Sequence, residues 1–210
     1  GIYFFENGFP YVVSLYLGAA TLALAAAGLA SRRDHRWTLA AILAVAALIC
    51  LGRWGGWPPL LEWMPAPLRI FRFPTKAFFS VHLVVALLAA NGLDALCRNE
   101  RRALRVLLVC GLTGSGLLAL APALPTLLPR GTAWFLGHFF PTTFRPTATS
   151  AALDHVLLDA AVSGALLLGV TLLAWLAWSE RLLGSRAAVG AAALVAADLL
   201  RAGAGLNPMI

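Results

Sequence analysis

Two groups of residues in this sequence have the types and spacing to do chemistry. The first is "LRIFRFPTKAFFSVH", Leu68 to His82, which sets Arg69, Arg72 and Lys76 around Phe71, Phe73 and Pro74. Arginine donates two parallel hydrogen bonds to a phosphate, and lysine adds a compact charge. Lys76 precedes a long apolar run, so it stands where a helix dipole also favours an anion. The chemistry indicated is capture of a phosphate group; the plainer reading is snorkelling to lipid headgroups. The second group is Asp198 and Arg201 in "ALVAADLLRAGAGLNP". Three positions apart on a helix, they share a face and can pair. Charges inside a membrane are costly and usually face an interior cavity. The pair could neutralise itself or orient a ligand. His82 lies six residues beyond Lys76 and could face the same cavity or make a packed polar contact.

Other polar residues give weaker signals. Asn91 and Asp94 suit a cap or an interhelical hydrogen bond. His138, Asp154, His155 and Asp159 carry metal-capable atoms, but their spacing matches no metal motif, and no metal ligand is assigned. Cys50, Cys97 and Cys110 fall in or beside apolar runs and read as packing residues. No nucleophile elbow, phosphate loop or dinucleotide fingerprint occurs.

The elements that must position these groups are membrane helices. The chain has 210 residues, 60% of them hydrophobic and only 12% charged, against about 25% charged in soluble domains. A formal charge of +7 then reads as basic residues flanking spans and meeting membrane lipid, with no nucleic acid as partner. The expected fold class is all-α: a single polytopic bundle, residues 1–210, of about six transmembrane helices with outer interfacial or re-entrant segments. The chain reads as a fragment of a larger membrane protein. A span needs about 20 apolar residues, and the candidates are 11–30, 37–52, 77–97, 103–124, 155–178 and 187–200, the last reaching about 204. Nothing alternates with period two, which argues against a barrel.

The segments 31–36, 98–105 and 179–186 hold nine of the 16 Lys and Arg residues. If all six spans cross, these three segments share one side, assigned to the cytoplasm. Residues 1–10, 53–76, 125–154 and the C-terminus then face outward. Segment 53–76 has Trp54, Trp57 and Trp63 among five prolines that forbid a continuous helix, as an interfacial or re-entrant segment would. Small residues at Gly111, Gly114, Ser115 and Gly116, and at Ala188, Ala192 and Ala196, are spaced for close helix packing.

At "FRFPTKAFFSVHLVVALLAANGLDAL" the chain resembles the bacterial YfhO-type membrane proteins, grouped with the GT-C glycosyltransferases. Two further stretches carry the likeness, "PYVVSLYLGAATLALAAAGL" (10–29) and "AADLLRAGAGLNP" (196–208), in order along the chain. The resemblance implies an enzyme of the bacterial inner membrane and a later part of its membrane core. Such enzymes take a sugar from a polyprenyl-phosphate donor and pass it to a cell-envelope acceptor. It also implies that Arg72 and Lys76, with Arg69 and Asp198 behind them, contact the carrier phosphate or hold the outer loop that does, that a divalent metal could take part, and that the catalytic acid lies outside this chain; Arg201 and His82 stand as supporting polar residues on their spacing alone. The alternatives are a transporter or flippase of a lipid-linked or anionic substrate, and a non-catalytic membrane scaffold subunit.

Overall fold

A computed structural model describes residues 16–50, 78–132, 134 and 146–203. The helices there are α1 (Ala19–Ala30), α2 (Arg36–Cys50), α3 (Phe78–Cys97), α4 (Arg101–Leu120), α5 (Leu124–Leu127), α6 (Pro146–Trp178) and α7 (Gly184–Gly203), with a 3-10 turn at Ala121–Ala123 between α4 and α5. The described residues contain no strand. The all-α expectation holds for them.

Three segments are long and apolar enough to cross a membrane: Phe78–Cys97, Arg101–Leu127 and Asp154–Trp178. Helices α1 and α2 are apolar but shorter, at 12 and 15 residues. Among the described residues, three of the six expected spans meet that length and composition. α7 has 20 residues but spends many of them on Ala and Gly and carries Arg186, Asp198 and Arg201. Within the apolar run that starts at Tyr11, the described residues 16–18 are not helical. Gly18 has φ +78°, a left-handed conformation that glycine adopts without strain, and it sets the start of α1 at Ala19. Large apolar side chains stand exposed on the outside of the bundle, among them Leu83, Val109, Leu112, Leu117 and Leu172, as lipid contact requires and water does not.

Glycines set the helix crossings. A Cβ on Gly28 of α1 would overlap the carbonyl oxygen of Leu88, and one on Gly92 of α3 would overlap that of Leu24. The two backbones therefore touch directly, which is how helices associate where no hydrophobic drive separates them from lipid. α4 and α6 run antiparallel, with Gly111 against Thr171 and Gly164 against Leu118. Gly114 meets Leu167, while Gly116 meets nothing within 4 Å. On α7 the buried small residues are Ala187, Ala188 and Ala191. Ala192 and Ala196 are exposed, so of the expected stripe only Ala188 packs. Between the crossings lies a core of Leu24, Leu88, Leu96, Leu104, Leu107 and Val170, each at most 1% exposed.

The three basic segments gather at one end. Arg33 pairs with Asp94, which Arg98 also reaches at 3.0 Å. The backbone N–H of Arg32 donates to Glu100 Oε1 at 2.9 Å. A Cβ on Gly184 would press on the Leu96 and Cys97 carbonyls, so the third segment adjoins the same place. Asp94 thus makes the cross-segment contact expected of it and holds the Arg33 guanidinium above its usual range. The groups are exposed, so water screens these pairs and they add little to stability. All nine Lys or Arg positions of the three segments are arginine; the chain has one lysine, Lys76.

Candidate functional site

The opposite end holds a ring of polar side chains from three elements. Gly18 breaks the chain away from helix just before α1, which leaves Tyr16 free to turn across the bundle. Its hydroxyl lies 2.7 Å from both carboxylate oxygens of Asp198 on α7 and 2.8 Å from Ser163 Oγ on α6. Arg201, one turn beyond Asp198, places Nη2 3.2 Å from Ser163 Oγ and 3.6 Å from Asp198 Oδ1. Its Nη1 donates to Asp159 Oδ1 at 2.5 Å. Asp198 is 1% exposed, whereas the Asp159 side chain is 66% exposed. The ring therefore runs from a buried carboxylate to one open to the surroundings.

Donor chemistry fixes the direction of every hydrogen bond in it. A guanidinium only donates and a carboxylate only accepts. Tyr16 gives its single proton to Asp198, so Ser163 donates to the Tyr16 oxygen and in turn accepts from Arg201. Each bond polarises the next in the same sense. The Asp198 carboxylate also sits against the start of α1. Its Oδ2 is 3.1 Å from where a Cβ on Gly18 would stand, and Thr21 Oγ1 is 3.0 Å from the same point. The positive end of α1 therefore helps to hold that charge. Two buried donors of the cluster, Thr21 Oγ1 and Arg201 Nε, have no hydrogen-bond partner among the described residues.

His82 belongs to the same end. Its Nε2 is 3.1 Å from Tyr16 O and its Nδ1 is 3.1 Å from Phe78 O. The Phe78 ring meets it edge-on at 4.7 Å. A neutral imidazole has one N–H, so one of the two contacts is the hydrogen bond. His82 thus ties α3 to the backbone that carries Tyr16 and is a packed polar contact. Measured along their helices at 1.5 Å per residue, His82, Ser163 and Asp198 all stand about 21–23 Å from the arginine-rich end. In a hydrocarbon layer of about 30 Å that is the far third.

The structure thus brings together Asp198, Arg201 and His82. The Asp198–Arg201 pair expected from spacing exists, but Arg201 lies closer to Asp159 on another helix. Arg69, Arg72 and Lys76 lie outside the described residues, as does His138. Sequence reading missed Tyr16 and Ser163, and it weighed Asp159 only as a metal-capable atom. Tyr16 and Ser163 gave no spacing signal, because their partners are 182 and 147 positions away from Tyr16. Among the described residues no group of three or more His, Cys, Asp or Glu could hold a metal. Two carboxylates face one guanidinium, so this cluster can orient hydroxyls or a cationic group and is not an anion trap. No family model, curated protein or solved structure matches this chain.

Proposed function

We propose that this chain forms part of an integral membrane glycosyltransferase of the YfhO-like, GT-C-like kind. It takes a sugar from a polyprenyl-phosphate carrier and passes it to a cell-envelope acceptor on the outer side of a bacterial inner membrane. In this reading six helices cross, and segment 53–76 lies at the outer interface. The observation that carries it is the polar ring around Asp198, set at the end opposite the arginine-rich loops. From there to the arginine-rich end the packed side chains are mostly Leu, Val and Ala, and the buried Ser115 and Thr171 hydroxyls bond to their own helices. A buried polar cluster near one end, with mostly apolar packing beyond it among the described residues, suits transfer better than passage. The ordered likeness of residues 10–29, 71–96 and 196–208 supports the same assignment.

The step is attack by an acceptor hydroxyl on the sugar's anomeric carbon. The new carbon–oxygen bond forms as the bond to the carrier phosphate breaks. The hydroxyl proton passes to a general base, and the leaving phosphate takes the electron pair. Arg72 and Lys76, with Arg69, stabilise that developing charge. Asp198, buried and already accepting from Tyr16, is a positioning residue; the base lies outside the described residues. A second reading, transport of a lipid-linked or anionic substrate, draws on the intramembrane Asp198–Arg201 pair.

The test uses membranes containing the full-length protein and a panel of radiolabelled hexosyl polyprenyl phosphates. Arg72→Gln with Lys76→Gln should abolish transfer while the amount of protein in the membrane is unchanged. Normal transfer by that double variant would sink the phosphate role. Movement of the labelled lipid across the vesicle membrane without transfer would replace the transferase reading by the transport one.

A further inference from the structure

The geometry points to a docking surface for an anionic phospholipid on the first turns of α4, built from Arg101, Arg102 and Arg105. This is independent of the transferase reading. Ala103, Leu104 and Leu107 pack inward at 1% exposure, so the three arginines project outward, and all three are exposed. Arg105 lies three and four positions from the other two, so they converge on one face. That face is electrostatically unfavourable as it stands. Like charges at this spacing repel, and they sit at the positive end of the helix dipole. The first turn contains no acid, and the Glu100 side chain makes no capping hydrogen bond. Glu100 instead accepts from the Arg32 backbone and lies 3.9 Å from Arg98, and Asp94 is taken by Arg33 and Arg98. Glu100 and Asp94 are thus engaged by other groups.

The surface beyond the arginines says what kind of anion fits. One and two turns further along α4 the outward positions become Val109 and Leu112, 58% and 61% exposed. The matching ligand has an anionic head joined to an apolar tail. Two further features place a headgroup layer at this end. Trp37 is 69% exposed with the Arg36 guanidinium 5.4 Å from its ring centre, and Arg181 lies at 5.4 Å over the exposed Trp175. Exposed Trp with a cation stacked on it is at home among headgroups. Three planar forks can clamp a phosphodiester that a neutral zwitterionic lipid presents less readily.

The experiment reconstitutes the full-length protein in nanodiscs of phosphatidylcholine alone and of phosphatidylcholine with phosphatidylglycerol. It reads the lipid retained by native mass spectrometry and the thermal midpoint. Wild type should retain phosphatidylglycerol and unfold at a higher temperature with it. Arg101→Gln, Arg102→Gln and Arg105→Gln together should weaken retention at least about tenfold, since each cation near an anionic lipid surface contributes severalfold. Arg130→Gln, an exposed cation far from this face in sequence, should retain lipid as wild type does. If the triple variant does not fold, each single variant should show part of the loss. Unchanged retention in the variants, an equal loss in Arg130→Gln, or the same thermal gain from inorganic phosphate in detergent would each overturn the proposal.

Discussion

Replacing Tyr16 by Phe removes one hydroxyl from the centre of the polar ring, and its cost can be worked from the geometry. Interhelical hydrogen bonds between neutral groups in membranes average only about 0.6 kcal/mol, because the unfolded chain also finds partners. Tyr16 serves a harder case. Its acceptor is a carboxylate at 1% exposure, for which it is the one hydrogen-bond donor among the described residues; Arg201 stands at 3.6 Å. Hydrogen bonds to charged groups are worth about 1.5–3 kcal/mol, so Tyr16→Phe should cost about 2 kcal/mol. In an Asp198→Leu background the hydroxyl has lost its acceptor, and the same change should cost under about 1 kcal/mol, which gives a coupling above about 1 kcal/mol. The measurement is equilibrium unfolding of the full-length protein in mixed micelles titrated with a denaturing detergent, run on the four members of the cycle. Equal costs in both backgrounds would refute the ring as a coupled unit, and a Tyr16→Phe cost near zero would refute the hydrogen bond.

Two other outcomes follow. Gly28→Ala should destabilise the bundle by about 1–3 kcal/mol, since the new methyl meets backbone and no rotamer can relieve it. Gly116→Ala, in open space on another helix, should be neutral or stabilising by up to about 1 kcal/mol through helix propensity; the difference in detergent unfolding midpoint checks the pair. In a background with the three native cysteines removed, a cysteine at position 130 should react with an impermeant maleimide from outside the cell, and one at position 102 only after the membrane is opened. The reverse pattern would overturn the orientation.

Where periodicity or composition carried the information, the helices fall close to expectation. The apolar run 77–97 becomes Phe78–Cys97, and 37–52 becomes Arg36–Cys50. The run 155–178 shares its end at Trp178 but its helix begins earlier, at Pro146. The expected start at Tyr11 differs from the helix start at Ala19, because an apolar run does not announce a left-handed backbone at Gly18. The site was legible only where its partners are neighbours in sequence. Asp198 and Arg201 sit on one face by spacing alone. Asp159, Ser163 and Tyr16 reach them only because α1, α6 and α7 converge, and that convergence depends on which glycines cross which backbones. The alanine stripe of α7 shows the same limit, since small residues occur on both its packed and its open faces.

The arginine-only composition of the loop-rich end has a consequence beyond binding. A guanidinium stays protonated at any pH a cell reaches, and it is not a substrate for the acylation that erases lysine charge. The charge those arginines contribute is therefore set when the chain is synthesised. Neither a rise in pH within that range nor amine modification can discharge them, and only the ionic strength around them or the anions laid against them can mask them.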